Sequence, residues 1–332
     1  MRREQSGPGE HSVAKAIALP VLLLTVLVCS AGGQAPLAKQ ARDADSFRLS
    51  VDVALVVLHA TVTDRQGGLV HSLGEQNFEV YEDGVRQRIT LFKNEDIPVT
   101  VGLVVDHSST MRRKLVEVSA AARTFVRSSN PEDEMFVVNF NERVSLGLPA
   151  SMRFTNSPAE LERAITSAPA GGETALYDAI ARGLEELRVG NRDRKVLIVA
   201  SDGGDNASAR SLTQVMKLAG QSSAAIYTVG IFDEEDPDRN PGVLKRLAAT
   251  TGGEAYLPKE LREVTAICER IARDIRHQYT IGYVPSNPAR DGTYRAIRVL
   301  ARGKEHDRLS VRTRTGYFTG GGEPRLDNKG AK

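Results

Sequence analysis

Cysteine is almost missing from this chain. Two in 332 residues, Cys29 and Cys268, exclude a disulfide framework. Six histidines with no CxxC or HExxH pattern give zinc no evident ligand set, so any metal is expected to be held by oxygen. An excess of one charge is missing too. Forty-four basic residues against forty-two acidic ones leave +2, and no field spread over the whole surface would draw in nucleic acid or an anionic membrane. Neither a GxSxG elbow nor a GxxxxGK[ST] phosphate loop occurs, which removes the common hydrolase and nucleotide-binding signatures. What is present is 41% hydrophobic and 26% charged, the balance of a chain that buries a core rather than a mainly disordered one.

Arg2, Arg3 and Lys15 precede an apolar run from Ala16 to Val28, short for a membrane span and suited to a signal-peptide core. Small residues in Ala31-Gly32-Gly33-Gln34-Ala35 place the expected cleavage after Ala35. The alternatives are an uncleaved anchor and lipidation of Cys29, against which Val28 stands, because a bacterial lipobox normally has a small residue there. Removing 1–35 takes three basic and two acidic residues with it, leaving +1 and only Cys268. No second long apolar segment follows, so a secreted or periplasmic protein with no stable span after cleavage is expected.

Residues 36–46 read as a linker. From Phe47, β-branched and alternating residues take over: Val51–Val57, Ala60–Asp64, a turn at Gly67-Gly68, and Phe78–Glu82 before Asp83-Gly84. Arg88–Phe92 then reads as the second arm of a hairpin. After Pro98, continuous apolar runs at Val99–Val105, Met135–Phe140, Val196–Ala200 and Ala224–Val229 alternate with helical spacing such as Leu115, Val118, Ala122, Phe125 and Leu176, Ile180, Leu184, Leu187. That pattern implies α/β architecture: a doubly wound, mostly parallel sheet with helices on both faces, closed by a helix over Leu261–Arg276. Strands return at Tyr279–Val284, Tyr294–Leu300 and Leu309–Arg312. Each β-rich end is too small to bury a core alone, so 47–97 and 278–319 are expected to pair as one sandwich-like module into which 98–277 is inserted. Residues 320–332 read as a polar, disordered tail.

In a doubly wound sheet, ligands collect at the C-terminal ends of the strands. Val99–Val105 runs into Asp106-His107-Ser108-Ser109-Thr110, where extended backbone turns Asp106 and Ser108 one way and His107 the other. Hydroxyls before a helix are commonly caps, but two more segments add oxygen at the same edge: Thr174 after Gly171-Gly172, and Asp202 after Val196–Ala200. Two carboxylates, a Ser and two Thr hydroxyls, with water, suit a hard divalent cation.

These residues resemble the von Willebrand factor type A domain and its metal-ion-dependent adhesion site. That motif is D-x-S-x-S on one loop, a Thr on a second and an Asp on a third, matched here by Asp106, Ser108 and Thr110, then Thr174, then Asp202. Thr110 departs from the usual Ser. The flanks, from Val62-Thr63-Asp64 and Phe78–Gly84 to Gln278–Tyr283 and Arg312–Phe318, resemble exported VWFA-related proteins of Acidobacteria. The resemblance implies one divalent cation, Mg²⁺ or in its place Mn²⁺ or Ca²⁺, completed by an Asp or Glu of a protein partner, and a last helix that shifts with ligation. It implies adhesion rather than catalysis. The alternative is a metal-independent scaffold with a degenerate site, which Thr110 keeps open.

Other signals carry blander readings. Asp106, His107 and Ser108 are consecutive and cannot form a triad, and export away from phosphodonors argues against a phosphorylated Asp106. The acidic loop 233–238 lacks the spacing of a calcium loop. Glu173 and Asp178 border the site. Arg192, Arg194 and Lys195 read as a solvated turn, and Cys268 as a buried thiol.

Overall fold

The computed structural model describes residues 55–232, 238–303 and 308–320. The signal-peptide, linker, acidic-loop and tail readings fall wholly or mostly outside them. The chain opens with β1 (Val56–Thr63), then β2 (Phe78–Glu82), β3 (Val85–Gln87) and β4 (Ile89–Lys93). An α/β layer follows: β5 (Val99–Asp106), α1 (Leu115–Ser128), β6 (Glu134–Phe140), β7 (Val144–Leu146), α2 (Pro158–Thr166), α3 (Leu176–Arg188), β8 (Arg194–Ser201), α4 (Leu212–Gln221), β9 (Ala225–Gly230), α5 (Pro241–Thr251), β10 (Ala255–Tyr256) and α6 (Glu263–Arg276). The last strands are β11 (Tyr279–Tyr283), β12 (Tyr294–Ala301), β13 (Ser310–Arg312) and β14 (Gly316–Phe318).

Six strands in the order β10-β9-β8-β5-β6-β7 form the central sheet, parallel except for β7. Helix α1 packs against both α2 and α6, while α3 meets β5 and β8 and continues through α4 to α5. Every residue of β5 and β9 is buried, which is why these strands show no alternation in sequence. Local signals fix the helix ends. Ser157 accepts from the Glu160 N–H ahead of Pro158, Ser211 and Gln214 form a capping box, and α5 stops at Gly252 with φ +85°.

Two four-stranded antiparallel sheets, β13-β1-β11-β4 and β14-β12-β2-β3, make the second layer. Both mix strands from before and after the α/β layer: β1 pairs with β11 and β2 with β12. This is the insertion that the small β-rich ends required. Their shared core, including Leu58, Phe78, Val80, Tyr279, Ile281 and Val299, is separate from that of the central sheet. Within it Glu82, 3% exposed, accepts from Arg295, Tyr283 and Tyr317, so the buried carboxylate is fully paired.

Three expectations need correction. The partner of β2 across the Asp83-Gly84 turn is β3, with Glu82 opposite Val85; Ile89–Lys93 crosses to the other sheet and pairs with β11. Arg194 is 1% exposed rather than solvated, because its guanidinium donates to the Ile275 carbonyl and Thr280 Oγ1 where α6 enters β11. The hydroxyls of Ser108–Thr110, read as lying before a helix, run into a 3₁₀ turn over Ser109–Met111, and α1 begins only at Leu115.

Candidate functional site

β5 and β8 are parallel neighbours, with Val105 opposite Ala200, so their C-terminal ends deliver Asp106 and Ser201 side by side. Ser201 Oγ donates to Asp106 Oδ2 at 2.7 Å, and the Ser108 N–H donates to Asp106 Oδ1 at 2.8 Å. Ser108 Oγ lies 3.1 Å from Thr110 Oγ1, which donates to Asp202 Oδ2 at 2.9 Å. The Gly204 N–H holds Asp202 Oδ1. Asp106, Ser108, Thr110 and Asp202 thus form one hydrogen-bonded chain across two loops. Ser108 makes no side-chain cap to the 3₁₀ turn, so the helix-cap reading does not account for its hydroxyl.

Thr174 is buried but held differently. Its N–H donates to Asn206 Oδ1, and its carbonyl accepts from the N–H groups of Asn206 and Ala207. It does not cap α3 either. The first turn of α3 is satisfied from the loop after β8, where Asp205 accepts from the Tyr177 N–H and Ser208 Oγ from the Asp178 N–H. The loop of Thr174 joins that of Asp106 through two main-chain bonds, Gly171 N–H to the His107 carbonyl and Ser109 N–H to the Gly172 carbonyl. Gly172 has φ +86°, a backbone conformation that residues with a Cβ rarely adopt, so this turn favours glycine.

Burial pushes the Asp106 carboxyl up to about 6, against hydrogen bonds from Ser108 and Ser201 and with the Asp202 charge adding to it. His107 turns away from this group. Its Nε2 meets Asn139 Oδ1 at 3.1 Å, and burial lowers its pKa, so Asp106, His107 and Ser108 make no triad. Of the bordering carboxylates, Asp178 is committed to Arg210 and the Ala209 N–H, and Glu173 is exposed. Ser201, Asp205, Asn206 and Ser208 were not anticipated from sequence; the only signal was their position at the end of the buried strand β8 or just past it.

Among the described residues, no group of three or more His, Cys, Asp or Glu is arranged for a metal ion. The convergent set is two carboxylates with hydroxyls, the donor chemistry of Mg²⁺ rather than of zinc. Charge and donor type both fit such an ion: two partly desolvated carboxylates adjoin, and every donor is oxygen.

Residues 101–204, less than half of the chain, match the von Willebrand factor type A domain model. An uncharacterized protein of Synechocystis sp. is 27% identical over 163 residues, 47% of this chain and 37% of that protein, so the chain spans little more than a third of the curated relative it matches. Solved structures with similarity include a von Willebrand factor type A protein from Catenulispora acidiphila, with TM-score 0.47, 12% identity, and coverage of 79% of this chain and 73% of that one. The vWF domain of a type V pili tip protein from Porphyromonas gingivalis gives TM-score 0.46 and 15% identity over 54% of this chain and 95% of that one. The PilB minor pilin of Streptococcus sanguinis gives 0.45 and 10% over 56% and 62%. The matched stretch of this chain runs from within β5 to Gly204 and contains Asp106, Ser108, Thr110, Thr174 and Asp202, carried on the strand ends and loops of the α/β layer.

Proposed function

We propose that this chain is an exported protein-binding module whose β5–β8 edge holds one divalent cation and, through it, an Asp or Glu of a partner protein. The observation that carries this reading is the convergence of Asp106, Ser108, Thr110 and Asp202 within hydrogen-bond distance across two strand ends. Asp106, Ser108, Thr110 and Asp202 would hold the ion, and Thr174 sits on the adjoining loop. When bound, the cation supplies a Lewis-acidic position for a carboxylate oxygen. The chain's own part is to keep its donors poised: Ser201 and the Ser108 N–H orient Asp106, and the Gly204 N–H orients Asp202. Von Willebrand factor type A domains mediate protein–protein interactions and are generally non-catalytic, which supports a binding role for this edge. Export rests on the signal-like N-terminus, and no helix among the described residues is long and apolar enough to cross a membrane.

A metal-free scaffold is favoured by one observation: Thr110 and Asp202 already satisfy each other. Calorimetric titration of Mg²⁺ and Mn²⁺ into chelator-stripped protein separates the two. The metal reading expects saturable one-site binding that Asp106→Ala abolishes, and partner capture that chelator reverses. No binding in the wild type, with partner capture indifferent to chelator and to Asp106→Ala, sinks it.

A further inference from the structure

His71 lies in the β1–β2 connection and His277 caps the C-terminus of α6, 206 residues later in sequence. Their ring centroids are 5.0 Å apart with planes tilted by 51°. Two imidazoles that ligate one tetrahedral ion at about 2.0–2.1 Å put their ring centres about 5 Å apart. His277 Nδ1 is 2.7 Å from the Arg273 carbonyl. A carbonyl only accepts, so Nδ1 carries the proton and Nε2 presents its lone pair, the orientation typical of metal-bound histidine.

The backbone on the other side is equally fixed. Tyr279 Oη donates to the Val70 carbonyl and accepts from the Leu73 N–H, so the segment holding His71 is fastened to the residue two positions beyond His277. Asn94 Nδ2 also donates to the His71 carbonyl. The nearby positive charge of Arg276 is paired, Nε to Asp96 Oδ2 at 2.7 Å. His71 is exposed and His277 half-buried, leaving room for water as the remaining ligands.

We propose that His71 and His277 form a two-imidazole site for a divalent transition ion of the Zn²⁺ or Cu²⁺ type, joining the β1–β2 connection to the end of α6. It is distinct in place and in ligand chemistry from the oxygen site at the β5–β8 edge. Two protein ligands satisfy an ion that prefers imidazole and leave a hard cation such as Mg²⁺ poorly served.

The test is calorimetric titration of Zn²⁺ into the chelator-stripped full chain with excess Mg²⁺ present, for the wild type, His71→Gln, His277→Gln and Asp106→Ala. Cu²⁺ loading is read in parallel by nitrogen splittings in the electron paramagnetic resonance spectrum. The expected result is one Zn²⁺ site, unchanged in Asp106→Ala, at least tenfold weaker in each histidine variant, with two-nitrogen splittings reduced to one. His71→Gln alone decides if His277→Gln disturbs α6, because His71 caps no element. The proposal is overturned if wild type binds no Zn²⁺, if both histidine variants bind as wild type does, or if Asp106→Ala removes the site.

Discussion

Asp133 is 5% exposed just before β6, its Oδ1 accepting from the Val99 N–H and its Oδ2 from the Asn130 N–H. Burial pushes its carboxyl up to about 6. A carboxyl that holds its proton more tightly folded than unfolded favours the folded state at low pH. The contribution of Asp133 therefore falls as pH rises from about 4 to 6 and is level above that. Urea denaturation of wild type and Asp133→Asn across this range is expected to show the wild-type advantage largest near pH 4 and smaller at pH 7. An advantage that grows with pH contradicts the assignment. At this scale sequence was informative for Asp106, Ser108, Thr110 and Asp202, because position at the end of a buried strand marks residue type and direction together. It was uninformative for Arg194, whose buried role depends on Ile275 and Thr280, more than eighty residues away. His71 and His277 are a pair only because the sandwich closes on itself.

Among the elements, β13 and α6 meet through a cluster of polar contacts between the two layers. Arg312 reaches Asp274 at 2.8 Å and Glu254 at 3.2 Å and lies over the Tyr227 ring. Tyr256 Oη also donates to Asp274, which is 2% exposed. Arg312→Ala strips a buried carboxylate of its cation and is expected to cost about 3 kcal/mol in urea denaturation. Arg302→Ala, at a 78% exposed side chain paired to Glu79, is expected to stay within about 0.5 kcal/mol. Equal costs for the two overturn this account. The strands β5, β6, β8 and β9 were legible because burial on both faces writes an unbroken apolar run. The route from β3 to β4 was not, since nothing in Gln87-Arg88-Ile89 announces a change of sheet. The start of α1 was masked by hydroxyls that resemble caps and instead make other bonds: Ser108 to Thr110, Ser109 to the Gly172 carbonyl and Thr110 to Asp202.

In the whole molecule neither sheet of the sandwich closes locally, because β1 needs β11, and β2, beyond its hairpin with β3, needs β12 across the entire α/β layer. Such long-range closure delays its folding until the inserted layer has brought the two ends together. A fragment ending at 277 is expected to lose the β1–β4 strands while retaining helical signal, measured by circular dichroism and by loss of amide protection in 55–93. Protection retained there overturns the dependence. That the two ends belong together was legible from their size alone, whereas their register was not.

The two connections between layers, from β4 into β5 and from α6 into β11, leave the sandwich at one end, where Lys93 stands opposite Thr280. A pull on the β5–β8 edge therefore draws β4 and β11 in the same direction, with little sliding between them. If the molecule is held on the N-terminal side of β1, the sliding falls on the five-residue pairing of β11 with β1, from Ala60–Tyr279 to Val56–Tyr283, and β1 is then the strand that bears the tension.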